Sequence, residues 1–146
     1  MRFLAIAAAT LLTGCATAPA PAGNPTAEAW YGETVQQLSV LNREAESSFE
    51  NHKPDQAAAL IEKGQPMVSR LLSVSRPTLQ AVEAASDLDH LYGRMLLSNR
   101  HYGWARLLFQ KNLSRWRHWQ PPTPDTARRL KQAEAAIAEC DRHIEE

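Results

Sequence analysis

The chain has 146 residues, and its 16 Lys plus Arg balance 16 Asp plus Glu, so it has room for one ordinary domain and carries no net charge. Hydrophobic residues make up 44% and charged residues 22%, which is the balance of a folded domain and excludes a disordered tail. Two cysteines exclude a disulfide framework and a cysteine-rich zinc site, and the excess of Ala and Leu over Val, Ile, Tyr and Phe argues against an all-β fold.

Met1 and Arg2 precede an apolar run from Phe3 to Leu12. A short positive start and about ten apolar residues are the layout of a secretory signal peptide, here residues 1–14. The run is too short to span a bilayer, and no later stretch approaches the roughly 20 apolar residues a span needs. It ends in Leu12-Thr13-Gly14-Cys15, which resembles the bacterial lipobox. That resemblance implies cleavage before Cys15, with lipid on its sulfur and acylation of its new amino group. Several acyl chains anchor a protein firmly. Residue 16 is Ala and not the Asp typical of lipoproteins retained at the inner membrane. The resemblance therefore implies an outer-membrane anchor facing the periplasm. An acylated Cys15 cannot join a disulfide, so Cys140 stands alone in an oxidising compartment and is expected to be buried.

Residues 15–27 read as the lipidated N-terminus and a Pro/Ala-rich tether, and residues 28–146 as a single all-helical domain. The first helix carries a stripe of Trp30, Val35, Leu38, Leu41, Ala45 and Phe49, and ends at Asn51-His52-Lys53-Pro54. Pro54 opens a second helix with Ala57, Leu60 and Ile61, and Gly64-Gln65-Pro66 is expected to stop or kink it before Met67–Leu72. A long helix after Pro77 carries Leu79, Val82, Ala85, Leu88, Leu91 and Met95. Asn99-Arg100-His101 is a short turn, and the next helix runs from Tyr102 past Trp116 to Gln120. Thr123 caps a last helix with Pro124 in its first turn and Ala133, Ile137 and Cys140 on its stripe. The fold class is all-α: antiparallel hairpins of five to six helices, in a tetratricopeptide-like or irregular bundle.

The hairpin over residues 91–113 places Gly93, Leu96, Tyr102, Ala105 and Phe109 where small residues let paired helices approach and large ones fill the gap. This pattern resembles a tetratricopeptide repeat. A weaker copy has Ala45, Ser48, Ala57 and Ile61 in matching places. Departures are Arg100 where a Gly is usual, Asn112 for a small residue, Arg117 for the closing proline, and an offset of 48 residues from Ala45 to Gly93. Any antiparallel helical hairpin can also place Gly and Ala at its close crossings.

Glu83, Asp87, His90 and Arg94 share one helix face. They read either as a metal half-site or as a solvated face with local pairs from Asp87 to His90 and from His90 to Arg94. The other histidines sit near helix ends, and no nucleophile elbow, phosphate-cradling glycine loop or His-Glu-Xaa-Xaa-His occurs. No enzyme activity, cofactor or metal is therefore expected. Charge is segregated: residues 28–89 hold ten acids and five bases, residues 94–131 nine bases and one acid, Asp125. Arg106, Arg115, Arg117, Trp119, Arg128 and Arg129 are the candidate partner-binding residues, expected to gather near the Gln120–Thr123 turn and to lack local acids. Alternatively, Trp116 packs in the core and the arginines repel into solvent or pair with the acidic N-terminal helices. The expected function is a lipid-anchored adaptor that binds another envelope protein or an anionic envelope surface, and no nucleic acid. Small helical lipoproteins that pilot secretins or scaffold envelope assembly resemble this layout. The alternatives are an enzyme subunit or accessory factor of envelope or peptidoglycan metabolism, or a structural lipoprotein without a dedicated partner.

Overall fold

The computed structural model describes residues 23–145, so the leader, Leu12–Cys15 and most of the tether lie outside the described residues. A 3-10 turn, Pro25–Ala27, precedes five helices: α1 (Ala29–Glu50), α2 (Pro54–Leu72), α3 (Leu79–Ser98), α4 (Tyr102–His118) and α5 (Pro124–Glu145). The turn falls at the end of the predicted tether, because Asn24 Oδ1 accepts from the Thr26 N–H at 3.2 Å and caps it. The architecture is all-helical.

Proline and capping residues set the boundaries as the sequence predicts. Pro54 and Pro124 open α2 and α5. Thr78 caps α3 by accepting from Ala81 N at 3.3 Å. Thr123 and Thr126 cap α5 reciprocally: each backbone N–H donates to the other's hydroxyl, at 2.8 and 3.2 Å.

Two details differ from expectation. Helix α2 runs unbroken through Pro66. Buried residues on both sides of the proline, Ile61 and Gly64 before it and Val68 and Leu71 after it, hold α2 in place, while Pro66 itself is exposed. Gly64 is there for close approach: a Cβ would lie 2.9 Å from Leu88 Cδ2. The buried face of α1 is also rotated by one residue at its start. Tyr31, not Trp30, is buried, and its hydroxyl donates to Leu71 O at 3.3 Å and accepts from Thr78 N at 3.1 Å. Trp30 is half-buried under the Arg70 guanidinium, 4.1 Å from the ring centre.

Helix α3 is the hub. It packs against α1, α2 and α4, while α5 packs on α4. The larger core fills the α1–α2–α3 side, around Leu38, Ile61, Leu71 and Leu88. A smaller one joins Ala105 and Phe109 to Ala136 and Cys140 of α5. Cys140 is fully buried, and its burial raises the thiol pKa.

The two hairpins close with the same device. Asn51 and Asn99 end α1 and α3, and His52 (φ 57°) and Arg100 (φ 62°) follow in the left-handed region. Lys53 N–H then bonds Ser48 O at 2.9 Å, as His101 N–H bonds Leu96 O at 2.8 Å. The turn thus recurs at the offset seen in the small-residue pattern.

Candidate functional site

One face of α3 lines a groove whose walls are α1 and α5. Near its middle a cavity of about 400 Å³ lies among Asn42 and Glu46 of α1, Asp87 and His90 of α3, Trp116 of α4 and Arg129 of α5. His90, Arg94 and Gln132 also line a wider hollow of about 840 Å³ that continues to Phe49, Tyr102 and His143.

Asp87, His90 and Arg94 of the Glu83–Arg94 row face this groove. These three side chains find partners on the facing helices in place of the expected local pairs. Arg94 pairs with Glu46 of α1. Asp87 Oδ1 meets Arg129 Nη1 of α5 at 2.5 Å, and Arg129 Nε also binds Asp125 Oδ2 at 2.7 Å. Gln132 Nε2 lies 3.0 Å from His90 Nε2. Among the described residues, no three of His, Cys, Asp and Glu converge as ligands of one metal would.

The groove perturbs its titratable groups. Burial lowers the His90 pKa first, Arg94 adds to that, and Glu46 and Asp87 oppose it. Burial raises the Glu83 pKa against the pull of Arg129. Hydrogen bonds from Arg129 and Arg128 lower that of Asp125. Asn42 is buried in the wall: its Nδ2 donates to Ala84 O at 2.7 Å, and its Oδ1 has no donor among the described residues.

The structure revises the basic block. Arg106 lies away from the Gln120–Thr123 turn, toward the other end of the α4–α5 hairpin, where it binds Asp141 Oδ1 at 2.5 Å. Arg115, only 16% exposed, points inward to the fully buried Asp89, with Nη1 2.7 Å from Oδ2. Lys111 Nζ reaches the same oxygen at 3.2 Å. Arg128 and Arg129 share Asp125. The expectation that these arginines lack local acids is thus overturned, because α3 supplies Asp87 and Asp89 and α5 supplies Asp141. Arg117 is exposed with no ion pair among the described residues, and Trp119 is half-buried at the end of α4. Trp116 is a core residue, its Nε1–H donating to Ser86 Oγ at 2.9 Å.

In the sequence Asp89 reads only as one acid among ten. Its signal was position: it stands four residues after Ala85 and three before Tyr92, on an apolar stripe. The packing residues of the second hairpin lie together. Ala105 and Phe109 are fully buried, Leu96 packs against them, and a Cβ on Gly93 would sit 2.5 Å from Phe109 Cε1. Tyr102 stacks on His143 of α5, with ring centres 4.6 Å apart. Ala45, Ser48, Ala57 and Ile61 are likewise buried in the first hairpin.

Family models, curated proteins and solved structures were each compared with this chain, and none matches it. No described helix is long and apolar enough to cross a membrane.

Proposed function

We propose that the chain is a lipid-anchored periplasmic adaptor, held at the outer membrane through Cys15, whose α1–α3–α5 groove receives a segment of another envelope protein. The observation that carries this reading is the groove itself. Three helices contribute side chains of both signs and an imidazole to two adjoining hollows that share His90, Arg94 and Gln132. Such a lining suits a polar, extended or helical polypeptide better than a small apolar ligand. The tetratricopeptide-like spacing of Gly93, Leu96, Tyr102, Ala105 and Phe109 supports the same reading. Arg117, Arg128 and Lys131, all exposed, add positive charge around the nearby turn and favour an acidic partner.

The test is affinity capture from detergent-solubilised envelopes with the tagged chain, in parallel with an Arg43→Glu, Gln132→Glu variant. Both residues line the groove, are exposed and make no ion pair among the described residues. A single stoichiometric partner retained by the parent and lost by the variant is the expected result. Equal capture by both sinks the groove as the docking site. Incorporation of labelled palmitate into the parent, and not into Cys15→Ser, tests the anchor.

A further inference from the structure

An apolar hollow of about 660 Å³ lies on the seam of α3 and α4, away from the groove. Tyr92 and Leu96 supply it from α3, and Trp104, Leu107 and Leu108 from α4. Trp104 is 68% exposed, Leu107 51% and Tyr92 37%. Trp104, Leu107, Leu108 and Lys111 recur at helical spacing, so they form one stripe. The remaining lining groups are His101 and Lys111, and none is acidic. The Lys111 side chain is half-exposed although its ammonium reaches Asp89, and Arg100 stands exposed beside His101. An aromatic and leucine face rimmed by cations is the chemistry of a surface that rests in the headgroup layer of an anionic bilayer.

The placement of the hollow agrees with a membrane. Tyr92 follows His90 by two residues, about 200° around the helix. The hollow and the groove therefore lie on nearly opposite sides of α3. Distances agree too. The start of α1 lies beside the start of α3, because the Tyr31 hydroxyl binds Thr78 N. From Leu79 to Tyr92–Leu96 is about 20–25 Å at 1.5 Å per residue. Residues 16–24, between Cys15 and the first turn, can reach at most about 30 Å when extended.

We infer that the Tyr92–Trp104–Leu107 face docks on the anionic phospholipid surface to which the chain is anchored, laying the domain on its side with the groove turned away from the membrane. This rests on the lipid-anchor reading for its geometry, and its test is independent of lipidation.

The full chain carrying Cys15→Ser is mixed with vesicles of phosphatidylglycerol and phosphatidylethanolamine whose acyl chains are brominated. It is compared with the same chain also carrying Trp104→Gln and Leu107→Gln. Both chains keep the N-terminal apolar run, so their difference reports the face alone. The expected result is tryptophan quenching and sedimentation with vesicles, with partition weakened about tenfold or more in the substituted chain. Weaker binding to phosphatidylcholine vesicles is also expected. Both substituted residues are exposed, and helical circular dichroism checks the fold; Trp104→Gln alone serves if the double variant unfolds. Equal partition of the chains overturns the inference. So does a concentration-dependent dimer that the substitutions abolish, which would assign the face to a second copy.

Discussion

The α1–α2 and α3–α4 hairpins share a turn and differ in what holds them together. At an offset of 48 residues, Leu38, Leu41, Gly64, Met67 and Val68 of the first correspond to Ser86, Asp89, Asn112, Arg115 and Trp116 of the second. The first set is apolar or small and lies in or against the main core. The second is a polar network. Asn112 Nδ2 donates to Ser86 O at 3.0 Å, its Oδ1 accepts from Arg115 at 2.8 Å, and Arg115 and Lys111 face Asp89. One backbone arrangement is thus satisfied by hydrophobic burial or by a buried ion pair. The two differ in tolerance: an apolar core degrades gradually, whereas a buried pair fails when one member is lost.

The largest expected effect follows from that asymmetry. Arg115→Met alone leaves the buried Asp89 carboxylate facing only the half-exposed Lys111, and should cost about 3–5 kcal/mol. Asp89→Leu with Arg115→Met gives the second hairpin the first one's residues and should restore stability to within about 1 kcal/mol of the parent, or exceed it. Urea unfolding of the three proteins decides. A double variant as unstable as Arg115→Met would show that the network cannot be replaced by packing.

A smaller effect separates the close crossings. Ala45 and Ile61 of the first hairpin correspond to Gly93 and Phe109 of the second. A methyl at position 93 would overlap the Phe109 ring at 2.5 Å, so Gly93→Ala should cost about 1–3 kcal/mol despite its better helix propensity. Adding Phe109→Ile makes room and should recover part of the loss. Ala105→Leu, at a fully buried site in the same crossing, belongs to the same range. An unchanged melting temperature in Gly93→Ala would mean that α3 and α4 are not so close.

The turns give an effect of opposite sign. His52 and Arg100 hold positive φ without being glycine, at a strain of about 1–2 kcal/mol each. His52→Gly and Arg100→Gly should each raise stability by up to about 1 kcal/mol, the gain being reduced by the freedom glycine adds to the unfolded chain. Thermal melts of both compare the turns directly, and a loss in only one would show that its side chain has a further role.

The helices and their hairpin pairing were legible because prolines punctuate the chain and small residues recur at fixed places. Pro66 misled because local propensity yields to burial on both sides of it. The site was less legible. Arg115 and Arg129 read as surface charges because their acids, Asp89 and Asp87, precede them by 26 and 42 residues and meet them only when α3 packs. A period argument places a residue on a face but does not say what faces it. The short Gln120–Thr123 connection made α4 and α5 legible as neighbours, but the groove also needs α5 to face α1 across α3, which no spacing reveals.

The last comparison concerns pH. His90 occupies the place that Asn42 holds in the first hairpin, so only the second carries an imidazole at this position. Burial lowers the His90 pKa first and Arg94 next; Glu46 and Asp87 oppose them, and Arg129 adds the smallest push downward. In the unfolded chain His90 titrates near the ordinary value of about 6.5. Below that pH the unfolded chain takes up the proton before the folded one does. Stability from neutral His90 is therefore fully present above about pH 6.5 and is lost as pH falls toward the lower folded value. The variant differs from the parent only at position 90, so the difference between the two isolates that side chain. His90→Asn, which copies Asn42, should flatten the fall of the urea midpoint between about pH 7.5 and pH 5. A parent and a His90→Asn protein losing stability in parallel over that range would show that the groove imidazole is not held neutral by its surroundings.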